Sequence, residues 1–125
     1  MMYLKGRSTS VRNRLLSVPL EDMAVCSLVT AELFYGALRS NNPTRTLERQ
    51  QEFLERFASL PLGGEAALIC GQIRARLASA GTVIGAYDLQ IAAIALANNL
   101  TLVTDNTREF ERVEGLQIED WEVEV

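Results

Sequence analysis

Three acidic residues of this sequence lie in apolar surroundings, where an isolated carboxylate is unexpected. Glu32 stands within the segment SLVTAELFYG, Asp88 opens the apolar run DLQIAAIALAN, and Asp105 follows directly on LVT. Each has an ordinary explanation, because acids are favoured in the first turn of a helix and in turns that follow strands. One open interpretation is therefore a generic α/β scaffold in which these acids only cap its elements.

The predicted positions of the three acids favour a second interpretation. Glu32 and Asp105 come just after predicted strands, and Asp88 lies at the start of a predicted helix, so all three belong to one edge of an open α/β sheet. Carboxylates that meet there repel one another unless a cation neutralises them. Oxygen ligands select a hard ion, Mg²⁺ or Mn²⁺, which can activate water and stabilise charge on a phosphoryl oxygen. This grouping favours phosphodiester hydrolysis.

The composition restricts the chemistry further. The 125 residues contain no histidine, which excludes every catalytic triad that uses one and the usual Cys/His zinc sites. Cys26 and Cys70 lie in apolar segments, so we expect both to be structural and reduced. The net charge of −4 argues against a generally basic nucleic-acid-binding protein. No signal peptide and no run of about 18 apolar residues is present, so we expect a cytoplasmic protein without membrane contact.

Strand-like and helix-like segments alternate along the chain. The predicted strands lie at residues 23–28, 57–62, 100–104 and 116–119, and the helices between them have apolar residues at helical spacing. Strands separated by helices indicate βαβ units and a largely parallel sheet covered on both faces. The length suits one domain spanning residues 1–125.

Three segments, in this order, resemble the signature segments of VapC-type PIN-domain ribonucleases. They are SLVTAELFYGA at residues 27–37, IGAYDLQIAA at 84–93 and LVTDNTREF at 102–110, and the similarity runs from about Tyr3 to Trp121. The resemblance implies a PIN-like three-layer α/β fold, with a mainly parallel central sheet flanked by helices. It also implies a Mg²⁺-dependent endoribonuclease toxin that acts on RNA as a homodimer and is inhibited by a VapB-like antitoxin.

The resemblance also implies roles for individual residues. Glu32 matches the family's glutamate and Asp88 its helix-opening aspartate. The third position stays open: the family's acid-or-amide column falls on Asn106, with Asp105 beside it, so either side chain could be a metal ligand. Thr104 and Arg108 are candidates for contacts with RNA phosphates. A threonine at a strand end and a surface arginine are equally ordinary.

The N-terminus departs from the family's pattern. Family members begin with a strand ending in Asp-Thr-Asn, whose aspartate is the first metal ligand, whereas YLKGRS at residues 3–8 matches the end of the following helix. The first acid of this sequence is Glu21. We therefore predict that the central strand and the first ligand are missing and that ribonuclease activity is impaired. A start site assigned too far downstream, natural degeneration and an altered sequence remain open as explanations.

The loss of a ligand leaves one further alternative. The chain could be a catalytically inactive PIN-like module that binds an antitoxin or RNA without cutting it.

Overall fold

A parallel sheet forms the centre of the molecule. The structure is a computed structural model that describes residues 2–3 and 17–121. Within these residues, five strands pair in the order β3-β2-β1-β4-β5, and every pairing is parallel. This confirms the predicted α/β class with a parallel sheet. The strands are β1 (Met2–Tyr3), β2 (Ala24–Cys26), β3 (Ala58–Leu60), β4 (Leu102–Val103) and β5 (Ile118–Glu119).

From β2 onward, helices connect the strands, because parallel neighbours need a crossover connection. Pro43 stands at the start of its helix, where its missing N–H leaves no bond unmade, and the Asn42 side chain accepts a hydrogen bond from Arg45 N at 3.4 Å. A 3₁₀ turn covers Leu20–Asp22. The helices are α1 (Ser27–Leu38), α2 (Pro43–Leu54), α3 (Gly64–Ser79), α4 (Ala86–Ala97) and α5 (Thr107–Phe110).

The core lies on both faces of the sheet. Neighbouring residues of β4 point to opposite faces, so Leu102 joins the large cluster that includes α3 and α4, whereas Val103 packs with Met23 and Trp121. Five consecutive residues of α4, residues 91–95, are buried. This helix is apolar around most of its circumference because neighbours cover it on several sides.

The centre of the sheet corrects part of the sequence prediction. Met2 pairs with Ala24 on one side and Leu102 on the other, and Tyr3 pairs with Val103. The central strand is therefore present, and Tyr3 belongs to it rather than to a helix end. Residues 4–8 of the segment assigned to that helix lie outside the described part of the chain.

The physical reason is that a strand ladder is made by backbone groups. The facing edges of β2 and β4 carry N–H and C=O groups that would be buried without partners. Two extended residues can satisfy some of these groups whatever their side chains are, so the side-chain pattern of a family motif does not decide which residues fill the position.

The structure also describes the state of the two cysteines and the character of the helices. Cys26 is buried, Cys70 is half-buried, and both are free thiols, as predicted. Across residues 2–3 and 17–121, none of the helices has both the length and the apolar character needed to cross a bilayer.

Ile94 allows a direct test of this core. Its side chain is 0% exposed, so Ile94→Ala should lower the free energy of unfolding by about 2–5 kcal/mol through lost burial and a residual cavity. Leu68→Ala is the matched control, because Leu68 on α3 is 63% exposed and should change stability by less than about 0.5 kcal/mol. Urea denaturation followed by circular dichroism measures both. Equal losses would contradict the assignment of α4 to the core.

Candidate active site

The carboxyl ends of β2 and β4 lead to a cleft of about 630 Å³. Glu32, Asp88, Asp105 and Asn106 all line it, together with Thr104. The structure thus brings to one cleft the four residues that the sequence singled out as metal ligands, and their roles stay a prediction.

Short connections deliver the acids to this cleft. Cys26 ends β2 and Ser27 begins α1, so the strand passes without a loop into the helix that carries Glu32. Asp88 lies in the first turn of α4 and is half-buried. Asp105 and Asn106 occupy the turn between β4 and α5, and both are exposed.

The two predicted RNA contacts differ in their surroundings. Thr104 is only 2% exposed, and its hydroxyl accepts a hydrogen bond from Asn106 N at 3.1 Å. This bond shapes the turn that carries Asp105 and Asn106. Arg108 is exposed on α5 and is not among the residues that line the cleft. The phosphate contacts expected of Thr104 and Arg108 stay predictions.

Asp88 is hydrogen-bonded to a second acid, Glu109 of α5. Burial, followed by the hydrogen bond and the charge of Glu109, raises the pKa of Asp88 to about 6. The same hydrogen bond lowers the pKa of Glu109, which also accepts from Gly85 N at 2.9 Å and from Asn106 Nδ2 at 3.0 Å. Below about pH 6, the proton of this pair therefore resides on Asp88 and is donated to the Glu109 carboxylate.

Glu109 was not among the site residues predicted from the sequence. A local signal existed, because Asn106 at the N-cap and Glu109 three residues later have the spacing of a capping box. That signal indicates a helix start and does not indicate a partner 21 residues away in the sequence. Only the packing of α5 beside the first turn of α4 brings Glu109 to Asp88.

The donor chemistry of the cleft fits a hard divalent cation. All its side-chain donors are carboxylate, amide or hydroxyl oxygens, which Mg²⁺ and Mn²⁺ accept. Within residues 2–3 and 17–121, however, no three acidic or sulfur side chains lie close enough together to enclose a metal ion. The predicted three-acid site is therefore not preassembled in this part of the chain. Below about pH 6, the proton on Asp88 limits the repulsion between Asp88 and Glu109.

Comparison with known proteins identifies the fold. Residues 3–116 match the PIN domain. This chain belongs to the PIN-domain family. The tRNA(fMet)-specific endonuclease VapC of Salmonella typhimurium is 41% identical to this PIN domain over 118 residues, which cover 94% of this chain and 89% of the relative. Ribonuclease VapC2 of Haemophilus influenzae is 42% identical over 99 residues, or 79% of this chain and 75% of the relative.

Solved structures agree with these sequence relatives. The DNA-bound VapBC complex of Salmonella typhimurium contains a chain that matches this PIN domain with a TM-score of 0.83 and 38% identity, covering 96% of both chains. FitAcB of Neisseria gonorrhoeae gives a TM-score of 0.86 at 27% identity, covering 97% of this chain and 98% of the other. The resemblance to VapC-type PIN domains is confirmed.

The contact between the two acids predicts a measurable titration. Glu109→Gln removes both the charge and the carboxylate acceptor that favour the protonated form of Asp88, so the pKa of Asp88 should fall below about 6. It should stay above the ordinary value of 3.8, because burial is the largest cause of the shift. Carboxyl ¹³C chemical shifts recorded against pH measure it.

Glu114→Gln provides the control for this titration. Glu114 is exposed and paired with Arg76 at 3.2 Å, so its loss should leave Asp88 unchanged. An Asp88 titration that is the same with and without Glu109 would show that the two side chains do not share a proton.

Proposed function

We propose that this chain is a metal-dependent endoribonuclease toxin of a VapBC-type toxin–antitoxin system, which hydrolyses RNA phosphodiester bonds at the acidic cleft. The observation that carries the proposal is the meeting of Glu32, Asp88, Asp105 and Asn106, from separate parts of the sequence, in one cleft beyond the strand ends. The names of the VapC relatives support the type of reaction.

The metal ligands that we propose are Glu32, Asp88 and either Asp105 or Asn106, and the structure adds Glu109 as a further candidate. A bound Mg²⁺ or Mn²⁺ would activate water and stabilise charge on the phosphate. The chain's own contribution is to hold the oxygens: Gly85 N–H and the Asn106 amide both donate to Glu109. Because the pKa of Asp88 is about 6, protons compete with the cation for its carboxylate below that pH, and metal binding should weaken there.

Removing single acids tests the metal-dependent reaction. Glu32→Gln and Asp88→Asn keep the size of each side chain and remove its charge, so each should lower Mg²⁺-dependent RNA cleavage by on the order of 100-fold or more. Glu48→Gln, at an exposed position on α2, is the control and should cleave like the unmodified chain. Cleavage that persists in EDTA, or that survives both acid substitutions, would exclude this mechanism.

Two relatives suggest the RNA substrate. The VapC proteins of Salmonella typhimurium and Shigella flexneri are named tRNA(fMet)-specific endonucleases and are 41% and 42% identical over 94% of this chain. We propose that initiator tRNA is the substrate here as well. In cleavage assays with purified tRNAs, the initiator should be cut and the elongator methionine tRNA should remain intact. Equal cleavage of the two would contradict this choice.

The structural neighbours suggest the partners. Several are VapBC complexes, in which a VapC chain was solved together with VapB. We propose that a VapB-like antitoxin binds and inhibits this chain, and that the chain forms a homodimer. Its site of action would be the cytoplasm, where its RNA substrate and its antitoxin are found together.

The first aspartate of the family pattern bears on the proposed activity. Leu4 comes directly after β1 in the sequence, and we propose that it takes the place of that aspartate. We propose that cleavage by this chain is weak for this reason. Leu4→Asp should tighten Mg²⁺ binding and speed cleavage by about tenfold or more, in keeping with the loss usually caused by removing a metal-supporting group. Leu4→Asn supplies the control without the charge.

A catalytically inactive PIN-like module is the second candidate function. The observation that favours it is the lack, among the described residues, of three acids close enough to enclose an ion. This candidate is supported if the chain binds antitoxin or RNA yet cleaves nothing in Mg²⁺ or Mn²⁺, with or without Leu4→Asp.

A further inference from the structure

Tyr87 connects the two helices that bring Glu32 and Asp88 to the cleft. It precedes Asp88 in the first turn of α4, and it lines the cleft itself. Its hydroxyl donates a hydrogen bond to the carbonyl oxygen of Leu28 in α1, at 3.2 Å. This contact joins residues 59 positions apart in the sequence. It therefore couples the placement of α4 to that of α1.

The acceptor of this bond lies directly below Glu32 in the helix. In an α-helix each N–H bonds to the carbonyl four residues earlier, and Leu28 stands four residues before Glu32 within α1. The Leu28 carbonyl is therefore also the acceptor that α-helix geometry predicts for the backbone N–H of Glu32. If Tyr87 moved relative to α1, its bond to Leu28 would shift the helical turn that carries Glu32.

The surroundings of the phenol keep it neutral. Burial, followed by the charges of Cys26, Glu32 and Asp88, raises the pKa of Tyr87 to about 12. The hydroxyl therefore keeps its proton, and remains a hydrogen-bond donor, throughout the pH range in which the carboxylates ionise. The bond to the Leu28 carbonyl therefore links the two helices without adding a charge beside the two acids.

We propose that Tyr87 is a positioning residue, whose hydroxyl sets the placement of the Asp88 helix relative to Glu32 and thereby strengthens divalent-cation binding by these two acids. The inference rests on the proposed metal-dependent function. It goes beyond it by assigning a role to a side chain that is not itself an acid and that acts through the backbone of α1.

Tyr87→Phe tests the role, because it removes the hydroxyl and keeps the ring. We expect Mn²⁺ affinity, measured from free Mn²⁺ by electron paramagnetic resonance, to fall by about tenfold, the lower end of the loss seen when groups supporting metal ligands are removed. The Mg²⁺ concentration for half-maximal cleavage should rise by the same factor. The KM for RNA at saturating Mg²⁺ should stay unchanged, since the hydroxyl acts on the acids.

Tyr35→Phe is the matched control, on α1, the helix to which Tyr87 bonds. The Tyr35 hydroxyl accepts a hydrogen bond from Arg39 Nη1 at 2.9 Å, and the side chain is exposed, so this substitution also removes one phenolic hydroxyl bond. Tyr35 is not among the residues that line the cleft. The Mn²⁺ affinity of the Tyr35→Phe variant should equal that of the unmodified chain.

The outcomes separate this inference from the proposed function. If the unmodified chain binds Mn²⁺ and Tyr87→Phe binds it equally well, the positioning role is overturned and the metal-dependent function stands. A lower melting temperature with unchanged Mn²⁺ affinity would likewise overturn it, by showing a purely structural bond. If the unmodified chain binds no Mn²⁺ at all, both the positioning role and the metal-dependent function fail. Tyr87→Phe should fold, since the ring is 38% exposed and is retained.

Discussion

Repulsion between carboxylates that share a small cleft is the constraint on which this site depends. Acids at the end of a parallel sheet can stay together only if a proton, a cation or hydrogen-bond donors offset their charges. The structure shows two of these devices: the raised pKa of Asp88, about 6, lets it carry a proton beside Glu109 below that pH, and Gly85 N and the Asn106 amide donate to the same Glu109 carboxylate. Together they offset part of the negative charge at this edge of the sheet.

The rest of the fold supplies the rigidity that such a site requires. The cleft lies beyond the ends of the strands, which are only two or three residues long. Short strands share few hydrogen bonds, so the helices packed against the sheet do most to fix their positions. The buried helix α4 anchors Asp88 through the apolar residues that follow it, and Thr104 fixes the turn after β4 through its hydroxyl. Small backbone shifts would separate the acids, and the core resists such shifts because it is close-packed.

This chain belongs to the PIN-domain family. Its sequence departs from the family pattern directly after the central strand. Met2–Tyr3 fills the central position of the sheet, yet the next residue in the sequence is Leu4 and not an aspartate. Strand pairing and ligand supply are thus separate requirements: backbone groups satisfy the first, and only a side chain satisfies the second. A PIN fold can therefore persist where the strand is not followed by the aspartate of the family pattern.

The sequence by itself determined the α/β class, the order of the elements and the acids worth attention, because alternating hydrophobic periods and acids in apolar segments are local features. Only the tertiary structure decided that Glu109 pairs with Asp88, that Tyr87 bonds to α1, and that Met2–Tyr3 completes the sheet. These contacts join residues that are distant in the chain. The pairing of β1 is made by backbone groups, so the side-chain pattern of Met2–Tyr3 does not reveal it. No local pattern records which distant groups meet, since that depends on how the helices pack around the sheet.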